Sequence, residues 1–207
     1  MKQAFMTMLE MQDGMNKKVH PEWNEQSYAW YRALWIECGE LIDHYGYKWW
    51  KKQTPEMDQV KLEIIDIWHF GMSALFQEGL SIEDIATRME LDLTGYEYQQ
   101  QGVLEATEAL AGDAIASKGF SIVLFWNLLH AAEMSFEELY QQYVGKNVLN
   151  FFRQDNGYKD GSYIKQWQGR EDNEHLVEIL AQLDSSSDQF RDNVYSALQQ
   201  RYQALTA

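Results

Sequence analysis

Two short segments carry carboxylates at the same spacing: Glu37 and Glu40 in "ECGE", and Glu63 and Asp66 in "EIID". Residues three apart on a helix project from one face, so each pair can converge on one point, and two packed helices could bring four carboxylates to it. Hard oxygen donors in that number suit Mg²⁺, with Mn²⁺ as a substitute. E-x-x-E is also common on solvated helix faces, and either pair alone reads as surface charge. The neighbours argue otherwise. Glu37 falls between Leu34 and Leu41 on an apolar stripe, where an unpaired carboxylate is expensive to bury, and Glu63 and Asp66 are almost the only polar groups in "LEIIDIWHF". Carboxylates facing inward need a cation beside them. His69 extends the second row by three residues and offers a rival, a di-iron carboxylate bundle. That chemistry uses two Glu-x-x-His pairs, and here there is one Asp-x-x-His. A histidine packed beside Trp68 and Phe70 is the plainer reading of His69 alone.

A second group lies in "FRQDNGYKDGSY", residues 151–162, where Arg153 and Lys159 stand among glycines, amides and tyrosines. Arginine and lysine neutralise phosphate, asparagine and tyrosine add hydrogen bonds, and glycines let the backbone approach closely. The rest of the chain is acidic, with 17 Lys and Arg against 32 Asp and Glu and a formal net charge of −15. Such a field repels a polyphosphate backbone, which argues against nucleic acid as a partner. A small anionic substrate then needs local cations, a bound metal, or both.

The elements that must position these groups read as helices. Trp30, Leu34, Leu41 and Tyr45 recur at helical spacing. Thr54 before Pro55 predicts a helix start, and Ser81 with Asp84 and Ser135 with Glu138 have the spacing of capping boxes. Gly119, Gly145 and the stretch Gly157 to Gly161 punctuate the remainder. The pattern gives roughly seven to nine helices and an all-α bundle. The "SSSD" near residue 185 reads as helix boundary or solvated surface, and the C-terminal segment places Phe190, Val194, Leu198 and Leu205 on one side for packing or dimerisation. With 207 residues and 2 Pro, a single domain over 1–207 is expected. The lone Cys38 excludes an internal disulfide and reads as a small buried residue. No apolar run approaches a membrane span, and the N-terminus lacks a signal peptide's apolar core, so a cytoplasmic location is expected.

Together, "ECGELIDHYGYKWWKK", "EIIDIWHF" and "GKNVLNFFRQDNGYKDGSYIKQW", preceded by "LEMQDGMNKKVHPEWNE", closely resemble the motifs of the dimeric all-α dUTPase family, a branch of the all-α nucleoside triphosphate pyrophosphohydrolases. The resemblance spans 9–52, 63–70 and 145–167. It implies that Glu37, Glu40, Glu63 and Asp66 hold Mg²⁺ against a triphosphate, and that Lys146, Asn150, Arg153, Tyr158, Lys159 and Lys165 grip phosphates and sugar. It further implies that Gln12 and Asn16 read uracil, that Trp49 or the adjacent Trp50 closes the pocket, and that His69 lies near the deoxyribose. The implied activity is Mg²⁺-dependent hydrolysis of dUTP, and of dUDP, to dUMP by a metal-activated water, in a homodimer. On the inward stripe, Glu37 is the expected base. Two alternatives stay open beside the di-iron bundle: a superfamily relative preferring dCTP or another deoxynucleoside triphosphate, since a side-chain amide can pair with either base edge by flipping, and a non-enzymatic helical interaction protein.

Overall fold

A computed structural model of the chain describes residues 1–76, 79–185, 187 and 189–206. Two of the positions in "SSSD", Ser186 and Asp188, lie outside the described residues. The chain forms two compact units, Met1–Leu139 and Tyr140–Ala207. Nine α-helices and one two-stranded hairpin occur among the described residues, in keeping with an all-α fold.

The first unit holds α1 (Lys2–Val19), a 3-10 turn at Trp23–Glu25, α2 (Trp30–Tyr45), α3 (Met57–Leu75), α4 (Ile82–Leu93), α5 (Val103–Ser117), α6 (Ile122–Ala131) and the first residues of α7 (Phe136–Asp155). The most extensive packing is between α2 and α3. Glu56 N–H donates to the carbonyl of His44 at 3.0 Å, while Glu37, a little under two turns earlier, meets Glu63. The pairing therefore runs in opposite directions and the two helices are antiparallel. Their apolar faces close over Phe5, Met8, Leu34, Ile64 and Trp68, all buried. Trp68 stacks on Phe125 at 4.7 Å and its indole N–H points at the sulfur of Met8.

Helix ends follow the residue chemistry unevenly. Ser81 and Asp84 make the full reciprocal box. Ser135 accepts from the Glu138 N–H, but the Glu138 carboxylate turns to Lys61 at 2.7 Å instead of closing its box. The helix expected after Thr54 begins at Met57. Glu56, its N–H tied to His44, takes the N-cap place expected for Thr54, so the helix starts two residues beyond Pro55.

In the second unit, the remainder of α7 is followed by β1 (Gln166–Trp167), β2 (Arg170–Glu171), α8 (Asp172–Leu180) and α9 (Phe190–Thr206). The strands pair antiparallel through a turn in which Gln168 and Gly169 both have positive φ, the geometry of a two-residue type I′ connection. Trp167, Phe152, Tyr143, Val194 and Leu198 fill the interior. Of the C-terminal apolar side, Phe190, Val194 and Leu198 are buried and Leu205 is half-buried. Gly145 does not break a helix. It lies inside α7, where a Cβ would come within 2.6 Å of Leu180, so the residue serves close packing.

Gly71 plays the same part on α3, where a Cβ would stand 2.6 Å from the ring of Phe120. Because the half-buried Phe120 ring is held against Trp68 and Phe125 and must be pushed aside, Gly71→Ala is expected to lower unfolding free energy by about 1–3 kcal/mol in denaturant titrations. Unchanged stability would show that Phe120 has room to retreat.

Candidate active site

Glu37 on α2 and Glu63 and Asp66 on α3 bring one carboxylate oxygen each to within 4.8 Å of one another. Glu63 is buried, and Glu37 and Asp66 are half-buried. Glu40 stands outside this group, exposed one turn along α2, yet its charge adds to the repulsion felt by both Glu37 and Glu63. Burial, followed by the charges of Asp66, Glu40 and Glu63, pushes the Glu37 carboxyl up to about 8. Burial and then Asp66 and Glu40 also raise Glu63, with His44 opposing. Protonated Glu37 donates a hydrogen bond to Glu63, which is how the cluster tolerates its own charge in the absence of a cation.

The donor set fits a hard divalent cation. All three groups offer oxygen, the ligand type Mg²⁺ and Mn²⁺ prefer, and opposing ligands of such an ion stand roughly 4 to 5 Å apart. His44 stands beside the cluster, with Nε2 3.7 Å from Glu63 and Nδ1 3.0 Å from Glu56. The geometry disfavours the di-iron alternative: no histidine belongs to the carboxylate group among the described residues, and His69 turns the other way, its Nδ1 2.8 Å from Gln12 Oε1.

That contact opens a second constellation. Gln12 and Asn16 on α1 and His69 and Ser73 on α3 are all buried. Gln12 Nε2 donates to Asn16 Oδ1 at 3.1 Å and to Ser73 Oγ at 3.0 Å, and Asn16 Nδ2 donates to Ser73 Oγ at 2.9 Å. Ser73 in turn donates to the His69 carbonyl at 3.0 Å. Ser73 also lines a cleft of about 410 Å³ whose walls include Trp23, Tyr28, Trp30 and Phe76. Trp23 meets Trp30 and Phe76 edge to face, and its N–H donates to Asp13 at 3.0 Å.

Neither tryptophan singled out for the pocket lines this cleft. Trp49 is 90 % exposed and Trp50 60 %, and they meet edge to face at 5.4 Å on the connection between α2 and α3. Sequence reasoning missed Ser73, Trp30 and Phe76. Trp23 lies inside the N-terminal motif, but no spacing rule marks the inward residue of a 3-10 turn.

In the second unit, Arg153 is engaged within the fold. Its Nε and Nη2 donate to the two oxygens of fully buried Asp172 at 2.8 and 2.7 Å, and its Nη1 donates to Asn150 Oδ1 at 3.2 Å. Tyr163 donates to the same carboxylate at 2.8 Å. This fork has the planar, two-point geometry that lysine cannot reproduce. Arg153 also lies over the ring of Tyr158, at 6.0 Å. Tyr158 and Lys159 are exposed, Lys165 pairs with Glu171 at 3.2 Å on the surface, and Lys146 is half-buried on α7.

A stability signature follows from the carboxylate cluster. The folded value of Glu37, about 8, lies above its ordinary 4.5. Between those limits the folded chain holds a proton that the unfolded chain has released, so stability falls as pH rises through the window. Metal-free protein is expected to lose melting temperature from about pH 5 to about pH 8, and Glu37→Gln is expected to flatten that dependence. Thermal melts in chelator check it, and a metal-free melting temperature that climbs across the range would contradict the geometry.

No curated protein matches the chain. A family model described as dUTPase matches residues 4–158, which takes in the carboxylate cluster, the amide network, α7 and Tyr158, while Lys159 and Lys165 fall beyond it. None of the described helices is long and apolar enough to cross a membrane. A match over most of the chain, on a fold whose described regular structure is helical apart from one short hairpin, makes this protein a dUTP-hydrolysing enzyme, a member of the dUTPase family.

Proposed function

We propose that the chain hydrolyses dUTP, and dUDP, to dUMP in a Mg²⁺-dependent reaction, acting as a cytoplasmic homodimer in line with its motif resemblance. The observation that carries the proposal is the arrangement along α3. Asp66 and Ser73 are seven residues apart, almost two full turns, and so share a face about 10 Å apart along the axis. Asp66 belongs to the carboxylate cluster and Ser73 to the amide network and the aromatic cleft. That spacing matches a nucleotide laid along the helix, base at one end and phosphates at the other.

Glu37, Glu63 and Asp66 would hold the ion, with Glu40 as a further ligand. When bound, Mg²⁺ would neutralise phosphate charge and lower the pKa of the attacking water. Glu37 would act as the base, accepting the proton of the water that attacks the β-phosphorus. The bond between that phosphorus and the bridging oxygen to the α-phosphate breaks, and dUMP leaves. The aromatic walls of Trp23, Tyr28, Trp30 and Phe76 offer faces for a pyrimidine, and Gln12 and Asn16 supply the hydrogen bonds that read it. His69 is assigned to the deoxyribose. Lys146, Asn150, Arg153, Tyr158, Lys159 and Lys165 are assigned to the phosphates by the motif resemblance. For Arg153 the assignment must coexist with its Asp172 pair, so any loss on substitution has to be separated from a loss of stability.

Pyrophosphate release from dUTP, with and without Mg²⁺, tests the proposal. Glu63→Gln is expected to abolish turnover while the protein stays folded, since removing one charged ligand weakens metal binding and relieves buried repulsion. Turnover near the unsubstituted level in a folded Glu63→Gln protein, or full activity in chelator, would refute it.

A further inference from the structure

Asp172 lies outside every stretch of motif resemblance and has no part in the reaction as drawn, yet its side chain is fully buried and its carboxylate takes three hydrogen bonds. A buried carboxylate is costly unless its charge is met and its oxygens are bonded. Here Arg153 reaches both oxygens, through Nε at 2.8 Å and Nη2 at 2.7 Å, and the Tyr163 hydroxyl donates at 2.8 Å to the oxygen that Nε already meets. The Tyr163 ring is itself fixed, stacked on Tyr202 at 5.4 Å. Backbone bonds brace the same node. Asp172 N–H donates to the Lys165 carbonyl at 3.0 Å, and Tyr158 N–H to the Arg153 carbonyl at 2.9 Å. One buried acid at the start of α8 therefore joins the last turn of α7 to the far end of the loop 154–162.

We infer that Asp172 is a positioning residue for substrate phosphate, holding the Arg153 guanidinium in one orientation before the nucleotide arrives. The inference rests on the reading that Arg153 contacts the phosphates. A guanidinium carries five N–H hydrogens. Asp172 and Asn150 take three of them, which leaves one on each terminal nitrogen. The Arg153 side chain keeps 12 % of its surface exposed, so it is not sealed from an anion. Arginine and aspartate together are neutral, and what the pair offers a phosphate is direction more than charge. That direction has value because an unrestrained arginine loses rotamer freedom on binding, whereas one already forked on a carboxylate has lost it in the fold. Asp172 touches no phosphate in this scheme and acts through Arg153. The plainer alternative, an ion pair that only stabilises the second unit, predicts a change in melting temperature and none in affinity.

The test measures, in Mg²⁺, the dissociation constant of a dUTP analogue with nitrogen in place of the oxygen between the α and β phosphates, together with the melting temperature of each sample. Asp172→Asn keeps the shape of the side chain and removes its charge and one acceptor. It is expected to weaken binding by about tenfold or more, the scale of a misplaced contact, and Arg153→Ala is expected to do the same. Because Asp172 acts through Arg153, the double variant is expected to bind about as weakly as Arg153→Ala and not by the product of the two losses. A folded Asp172→Asn protein with unchanged or tighter binding overturns the inference, as do losses that multiply. If Asp172→Asn does not fold, Tyr163→Phe takes its place: it removes one hydrogen bond to the carboxylate and is expected to weaken binding by about threefold, and unchanged binding overturns the inference. Arg153→Ala separates the two levels, with the double variant standing for it where an unpaired Asp172 prevents folding. If that protein binds the analogue as tightly as the unsubstituted enzyme, the phosphate reading of Arg153 fails and the inference with it. If it binds weakly while Asp172→Asn binds normally, the phosphate reading stands and only the positioning role fails.

Discussion

Crowding of carboxylates between α2 and α3 is the constraint on which the first unit turns. Apolar residues on both helices pull them together, and the same packing carries Glu37, Glu63 and Asp66 out of bulk water and into mutual repulsion. Folding accepts this arrangement by keeping a proton on Glu37 and sharing it with Glu63. The protonated pair is a compromise that a divalent cation improves on, because the cation supplies counter-charge to every member of the cluster at once. The hydrophobic effect thus builds a site of mutually repelling carboxylates, which is what supports the proposal that the cluster takes a cation.

Helix α3 converts that local constraint into a longer one. Its successive turns carry Glu63 and Asp66, then His69, then Ser73, so the acidic cluster and the amide network are fixed relative to each other by backbone hydrogen bonds and not by loops. Close approach of Phe120 at Gly71 and the stack of Phe125 on Trp68 hold the helix from behind. A single carbonyl, that of His69, sets the direction of hydrogen bonding through Ser73 to both amides and back to the imidazole. Stability in the core and polarity at the site are therefore properties of the same element.

Much of this was legible in the sequence. Helical periodicity and two i, i+3 acidic pairs on apolar stripes marked α2, α3 and three of the four carboxylates that could meet. What stayed hidden has physical reasons. Glu40 has the same spacing as its partners, but a face position alone does not say which of two residues a neighbouring helix will cover. Trp49 and Trp50 stand in a lysine-rich motif that draws the eye, whereas the aromatic cleft is assembled from a 3-10 turn, the start of α2 and the end of α3, which only tertiary packing brings together. Ser73 is a small polar residue near the end of an apolar helix and carries no signal until its three partners are in place. Arg153 reads as a phosphate ligand by type, and its fork on Asp172 depends on a buried acid 19 positions away in sequence.

The central claim, that the cluster is built for a hard divalent cation, is tested most directly by calorimetric titration of Mg²⁺ into metal-free protein near neutral pH, repeated in buffers of different ionisation enthalpy. Binding should release roughly one proton per chain, the one that Glu37 holds while the cluster has no counter-ion. Binding without proton release, or no binding at all, would contradict the account.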